Sequence, residues 1–111
     1  MPFIIMDEID KETVTPKYST AYGELVTGEQ IEVGRLSFAK DTGAVEHAHP
    51  HEQVMIVLEG RLRITMGGET FEAGPFQGFH ARPNVPHKVE ALDDTLVISC
   101  KGIVGGVGHK I

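Results

Sequence analysis

What the sequence has little of narrows its function first. It holds a single cysteine, Cys100, so no internal disulfide can form and no disulfide framework supports the chain. That fits a reducing compartment. No apolar run approaches the roughly 18 residues that a membrane-spanning helix needs. The stretch from Met1 to Asp10 lacks the basic start of a secretory signal and turns acidic at Asp7. Basic residues are few and scattered: 10 Lys and Arg stand against 16 Asp and Glu, a formal net charge of −6. An acidic chain without a basic patch argues against nucleic acid or an anionic membrane as partner. Internal repeats and low-complexity tracts are absent. The expectation is a cytoplasmic protein with a small-molecule ligand or substrate.

What is present points to strands. The 111 residues suffice for one domain, 1–111, and 41% of them are hydrophobic. Thirteen glycines and six prolines imply many turns and favour an all-β reading. Residues 1–29 are the least regular and are expected to be an N-terminal arm, with Phe3 to Met6 as an edge strand or a contact with a second copy. A barrel core is expected over about 30–101, followed by a glycine-rich tail, 102–111. Within the core, Gln30 to Phe38 alternates. Lys40 to Gly43 is a turn, Gln53 to Leu58 a compact apolar strand, and Glu59-Gly60 is read as a hairpin turn. Leu62, Ile64 and Met66 share one face, and Gly67-Gly68 is a two-residue hairpin connection. His87 to Ala91 and Thr95 to Lys101 are strands joined at Asp93-Asp94. About eight short strands at roughly ten-residue spacing imply a sandwich or barrel, and the jelly roll is one solution that leaves few exposed edges.

Histidine carries the chemistry. Of six, His47, His49 and His51 fall within one short stretch. Residues two apart on a strand face the same way, so His47 and His49 can reach one ion. Gln53 opens the next apolar strand. His87 follows Pro86, whose ring fixes the approach and ends the preceding loop. A lone histidine is more often a surface or core residue than a ligand. The three together, separated by glycine-bounded strands, favour one divalent transition metal held by His47, His49, Gln53 and His87. Three imidazoles and a side-chain oxygen suit Zn, Ni, Fe, Mn or Cu. Glu52, adjacent to Gln53, is the alternative fourth ligand.

The stretch Gly43-Ala-Val-Glu-His47-Ala-His49-Pro-His-Glu-Gln53-Val-Met-Ile-Val-Leu-Glu-Gly60 resembles the first motif of the cupin superfamily. Pro83-Asn-Val-Pro-His87 resembles the heart of the second. The resemblance implies a cupin-type jelly-roll β-barrel of the small single-domain kind, and it covers about residues 30–101. Three departures stand out. The first glycine sits two positions late, at Gly43. Asn84 stands where a glycine is usual, and both tolerate positive φ. Gln53 replaces a glutamate. A glutamine is neutral, so a bound ion keeps its full +2 charge, which strengthens its Lewis acidity and favours an anionic ligand. His-Ala-His-Pro-His-Glu-Gln is similar to the pectin-degradation proteins that open the ring of unsaturated uronate sugars. That resemblance implies a His, His, Gln, His metal set. The family's catalytic aspartate falls here at Ser99, and its nearby aromatic at Lys101.

Met55 shares the parity of Gln53 and is expected in the pocket or in the core beside it, with Val57 extending the same wall. Arg35 is a pocket candidate that clamps a carboxylate if it points inward; the outward, solvated orientation is the expected one. His51 and Glu52 are expected to support the ligands or lie at the surface, His80 at the surface, and Cys100 in the core. His109, in the tail, is assigned no role. The fold alone does not select a reaction. Three functions remain in view: a metal-dependent enzyme acting by lyase, isomerase or oxygenase chemistry on a small carboxylate or sugar-derived molecule; a regulatory or ligand-binding barrel with a structural metal; and a storage or scaffold role. A barrel this small often pairs with a second copy, so a homodimer is expected.

Overall fold

The computed structural model describes residues 2–111. It contains ten strands: β1 (Glu12–Thr13), β2 (Tyr22–Thr27), β3 (Ile31–Phe38), β4 (Gly43–His47), β5 (Gln53–Glu59), β6 (Leu62–Met66), β7 (Glu69–Ala73), β8 (Gly78–Ala81), β9 (His87–Ala91) and β10 (Thr95–Gly102). The only helical element among the described residues is a single 3-10 turn, Met6–Glu8. The strands form two antiparallel sheets, ordered β1-β2-β3-β10-β5-β8 and β4-β9-β6-β7. This is the all-β, jelly-roll architecture expected of the sequence. Among the described residues no helix is long and apolar enough to cross a membrane.

Strict alternation builds the interior. On β3, Leu36 and Phe38 face inward, and on β10 Thr95, Val97, Ser99 and Lys101 do. Leu62 and Ile64 of β6 and Val89 and Ala91 of β9 meet them from the other sheet. Burying a side chain such as Leu62 or Ile64 is worth about 1.5–3 kcal/mol. The register arranges β3, β10 and β5 in rows. Leu36, Val97 and Val57 form an apolar row, Gly34, Ser99 and Met55 the next, and Glu32, Lys101 and Gln53 a polar row at the end. The barrel is therefore oily at one end and polar at the other.

Several local expectations change. Glu59-Gly60 is no hairpin: β5 pairs with β10 and β8, and the chain crosses at Gly60 to β6 in the other sheet. Gly60 has φ +92, and a Cβ there would lie 2.4 Å from the Asp94 carbonyl oxygen. The Asp93-Asp94 turn likewise joins strands of different sheets. Gly67-Gly68 does close a hairpin, both residues at positive φ, the geometry that matches strand twist. The arm, 1–29, is largely built into the fold, since β2 pairs with β3 along its length. Phe3, Ile4 and Ile5 stay exposed and form no strand. Segment 102–111 is no loose tail. A bridge between Val104 and Val107 closes over Gly105 and Gly106, and the chain returns to the polar end of the barrel.

Candidate metal centre

His47 ends β4 and lies opposite His87, which begins β9. His49 stands just beyond the end of β4, in the loop before β5, and turns inward without the help of strand alternation. Asn84, at φ 66, fastens this loop from the segment before β9, its N–H donating to the His49 carbonyl at 2.7 Å. Ligating nitrogens of His47, His49 and His87 all lie within 4.8 Å of one another. His49 and His87 are buried, and His47 is half-buried under the stacked ring of Tyr18, 5.1 Å centroid to centroid.

Each of the three imidazoles is held in one tautomer. The Nδ1–H of His47 donates to Val45 O at 2.7 Å, that of His49 to His51 O at 3.0 Å, and that of His87 to Val85 O at 2.9 Å. A carbonyl can only accept, so every Nδ1 carries a proton, and Nε2 is the nitrogen that each ring has left to offer an ion. Burial holds His49 down to about 4, helped by the charge of Lys101, and pushes His87 below the usual histidine range. Both are neutral at physiological pH.

Gln53 completes the set. Its carboxamide oxygen lies 3.1 Å from His49 Nε2, and its amide nitrogen donates to Ser99 Oγ at 3.0 Å. A chain of hydrogen bonds fixes this orientation. His109 Nδ1–H donates to Glu32 at 2.6 Å, leaving His109 Nε2 to accept the Ser99 hydroxyl proton at 2.8 Å. Ser99 has no second proton, so the amide side that faces it must be the NH2. The Gln53 oxygen and the His49 nitrogen then confront each other with two lone pairs and no proton between them. A cation resolves that repulsion. The donor set fits a first-row divalent ion, with all four donors neutral.

The remaining sequence-named residues divide clearly. Met55 lines the cavity beside Gln53, together with Phe79; Val57 is fully buried deeper in the core and is not part of the wall. Arg35 must be removed from the pocket candidates. Its neighbours Gly34 and Leu36 take the inward positions of β3, and its guanidinium pairs outside with Glu24 at 2.8 Å and Asp7 at 2.6 Å. Glu52 is exposed and bonded to His80, also exposed, at 2.7 Å, so it faces away from the cluster. His51 is buried. Its Nε2–H donates to Val107 O at 2.7 Å, and its Nδ1 has no hydrogen-bond partner. Cys100 faces the opposite side from Ser99 and is half-buried.

Two residues given little weight in the sequence matter here. His109 is buried, lines the cavity and binds Glu32 through both its ring and its backbone N–H. Burial lowers its affinity for a proton. Burial alone would raise Glu32, but bonds from Thr27 and His109 outweigh that and hold it below the usual carboxylate range. The pair is thus a neutral imidazole donating to a carboxylate. The signal for this fold-back was Gly105-Gly106 between two valines, the same hairpin signature as Gly67-Gly68. Lys101 is only 3% exposed. It lines the same cavity and makes no hydrogen bond or ion pair with any described residue, and burial draws it down to about 8. Buried charges are ordinarily paired, and parity on β10 was sufficient to place it inside.

The sequence profile of the family described as Cupin domain matches residues 34–100. No curated protein gives a significant match. Among solved structures, an RmlC-like cupin from Shewanella frigidimarina NCIMB 400 superposes with a TM-score of 0.82 at 18% identity, over 95% of this chain and 93% of that one. KdgF from Halomonas sp. gives 0.79 at 25% identity, over 92% and 93%. The polyketide cyclase RemF from Streptomyces resistomycificus gives 0.79 at 15%, over 100% and 85%. With two antiparallel sheets, three histidines converging at one barrel end and a profile match spanning the strands that carry them, this chain belongs to the cupin domain family.

Proposed function

We propose that this protein is a metal-dependent enzyme that acts on a small molecule by lyase, isomerase or oxygenase chemistry, at a centre held by His47, His49, Gln53 and His87. The observation that carries this reading is the convergence of three imidazole Nε2 lone pairs, each Nδ1 proton tied to a backbone carbonyl. A bound divalent ion would supply Lewis acidity, polarising a substrate oxygen or activating water. Because the four donors are neutral, they leave the ion's charge uncompensated. The chain's own contribution is positioning. Carbonyls of Val45, His51 and Val85 hold the rings, the Ser99–His109–Glu32 chain orients the Gln53 amide, and Met55, Phe79 and Val89 form an apolar wall that limits water. The likeness to KdgF of Halomonas sp. and the motif similarity to pectin-degradation proteins support a small sugar-derived or carboxylate substrate. A ligand-holding barrel without catalysis is the second reading. It is favoured by one observation: among the described residues no carboxylate lines the cavity as a general base.

The first experiment is elemental analysis of untagged protein beside His47→Ala and His87→Ala. About one equivalent of a first-row metal, lost in both variants while the fold survives by circular dichroism, is the expected result. Iron would direct the substrate search to oxygenase chemistry, and nickel, zinc or manganese to lyase and isomerase assays. Folded wild-type protein that takes up no metal on reconstitution overturns the proposal.

A further inference from the structure

We propose that the cavity beside the three histidines is a carboxylate site in which the Lys101 ammonium anchors a small acid. The acid would have about two carbons, and its other oxygen reaches the position enclosed by His47, His49, Gln53 and His87. The inference deepens the metal reading and rests on it for that second oxygen alone.

The argument begins with a buried cation that lacks a partner. Lys101 points into the cavity and is 3% exposed, yet no carboxylate or carbonyl among the described residues binds it. The natural candidate would be Glu32, its neighbour across the β10–β3 register. Glu32 is fully engaged elsewhere: Thr27 donates to one oxygen at 2.7 Å, and the ring and backbone of His109 both donate to the other at 2.6 Å. On the other side, Lys101 stands opposite Gln53 across the β10–β5 register. Side chains directly opposite on one face are immediate neighbours. The ammonium and the amide that faces the histidines are therefore side by side, where one small ligand can span them.

Charge and size select the ligand. Among the described residues the lining contains Lys101 and three imidazoles but no acid. Glu32 acts on Lys101 from behind His109 without entering the cavity, so the ammonium is the charged group that an entering ligand meets, and it favours an anion. Its interior leaves about 30 Å³ for the centres of water molecules, room for roughly two or three waters. That space sets an acid of about glycolate's size as the upper limit without movement, and a sugar acid needs the segment around His109 or the Thr15–Ser19 loop to move.

The test is calorimetric titration of glycolate and of neutral glycolamide into zinc-loaded and metal-free protein, for wild type and Lys101→Met. Wild type should bind glycolate about ten- to a hundredfold more tightly than glycolamide, and Lys101→Met should lose that preference while keeping its metal. Equal binding of acid and amide by wild type, or undiminished glycolate binding by a folded Lys101→Met, overturns the inference and leaves the metal centre standing. Conversely, Lys101-dependent glycolate binding by protein that takes up no metal supports the anchor and sinks the centre. Should Lys101→Met fail to fold, the 13Cε resonance of Lys101 in wild type decides. It must shift on adding glycolate and not glycolamide, and no shift overturns the inference.

Discussion

The Thr15 hydroxyl donates to the His109 carbonyl oxygen at 2.7 Å, joining the segment before β2 to the segment after β10 across 94 residues of sequence. Glu32 fastens the same histidine from β3, accepting both its ring and backbone N–H. The roof of the cavity is thus a convergence of both ends of the described chain on one strand. Gly108 is part of it, since a Cβ there would meet the Glu32 carboxylate at 2.6 Å.

Glu32→Gln is expected to release this roof. The substitution removes the charge that accepts three hydrogen bonds, at a cost on the order of 2–4 kcal/mol. Hydrogen exchange should accelerate across residues 103–111 while β6 and β9 stay protected. Unchanged protection of that segment would show that the fold-back does not depend on Glu32.

Ser99→Ala addresses the orientation of Gln53. Without the hydroxyl, the Gln53 amide loses its acceptor and His109 Nε2 its donor. Groups that orient metal ligands typically contribute ten- to a hundredfold in affinity, and a loss of about that size is expected in a chelator competition titration. Wild-type affinity in the variant would mean that the amide needs no such support.

Acid should destabilise the metal-free protein from about neutrality downward. Burial holds His49 at about 4 and keeps His87 and His109 below 6.5. The unfolded chain takes up protons on these rings near pH 6.5 while the folded chain refuses them. Their contribution is therefore complete above about pH 6.5 and is lost as pH falls toward the folded values. His49 alone accounts for on the order of 3 kcal/mol over that interval. Glu32, whose folded value is depressed, adds a loss of the same sign below its ordinary 4.5. Urea midpoints of chelator-treated protein between pH 4.5 and 8 should fall steadily on acidification, and a flat profile would contradict the buried-neutral assignment.

A homodimer is expected through the outer face of the larger sheet. There Ile31 is 58% and Val54 38% exposed, and Val33, Ile56, Leu96 and Ile98 lie half-covered around them, a continuous apolar surface across β3, β10 and β5. It is broader than the Phe3–Ile5 run. Light scattering should give twice the 12.1 kDa chain mass, and Ile98→Glu should halve it. A monomeric wild type would reject the contact.

Much of this was decided by local sequence. The alternation on β3, β6 and β10 and the Gly67-Gly68 hairpin are short-range patterns, and period-two burial turns them directly into an all-β barrel. The paired histidines were legible as residues, but alternation does not aim them: His49 lies past the end of β4, and the loop before β5 turns it inward. Local pattern also permitted Asn84 its positive φ. Which strands become neighbours was not legible, because strand pairing is non-local. Gly60 looks like a hairpin in sequence, yet the chain crosses there to the other sheet, since β10 occupies the edge of β5 that β6 would need. For the same reason only the tertiary structure set His109 against Ser99 and Glu32, turned Arg35 outward to Glu24, and left Lys101 buried without a partner. Those outcomes depend on which side chains compete for the same few buried acceptors. Only the assembled barrel brings those competitors together, and there Glu32 is taken by His109 before Lys101 can reach it.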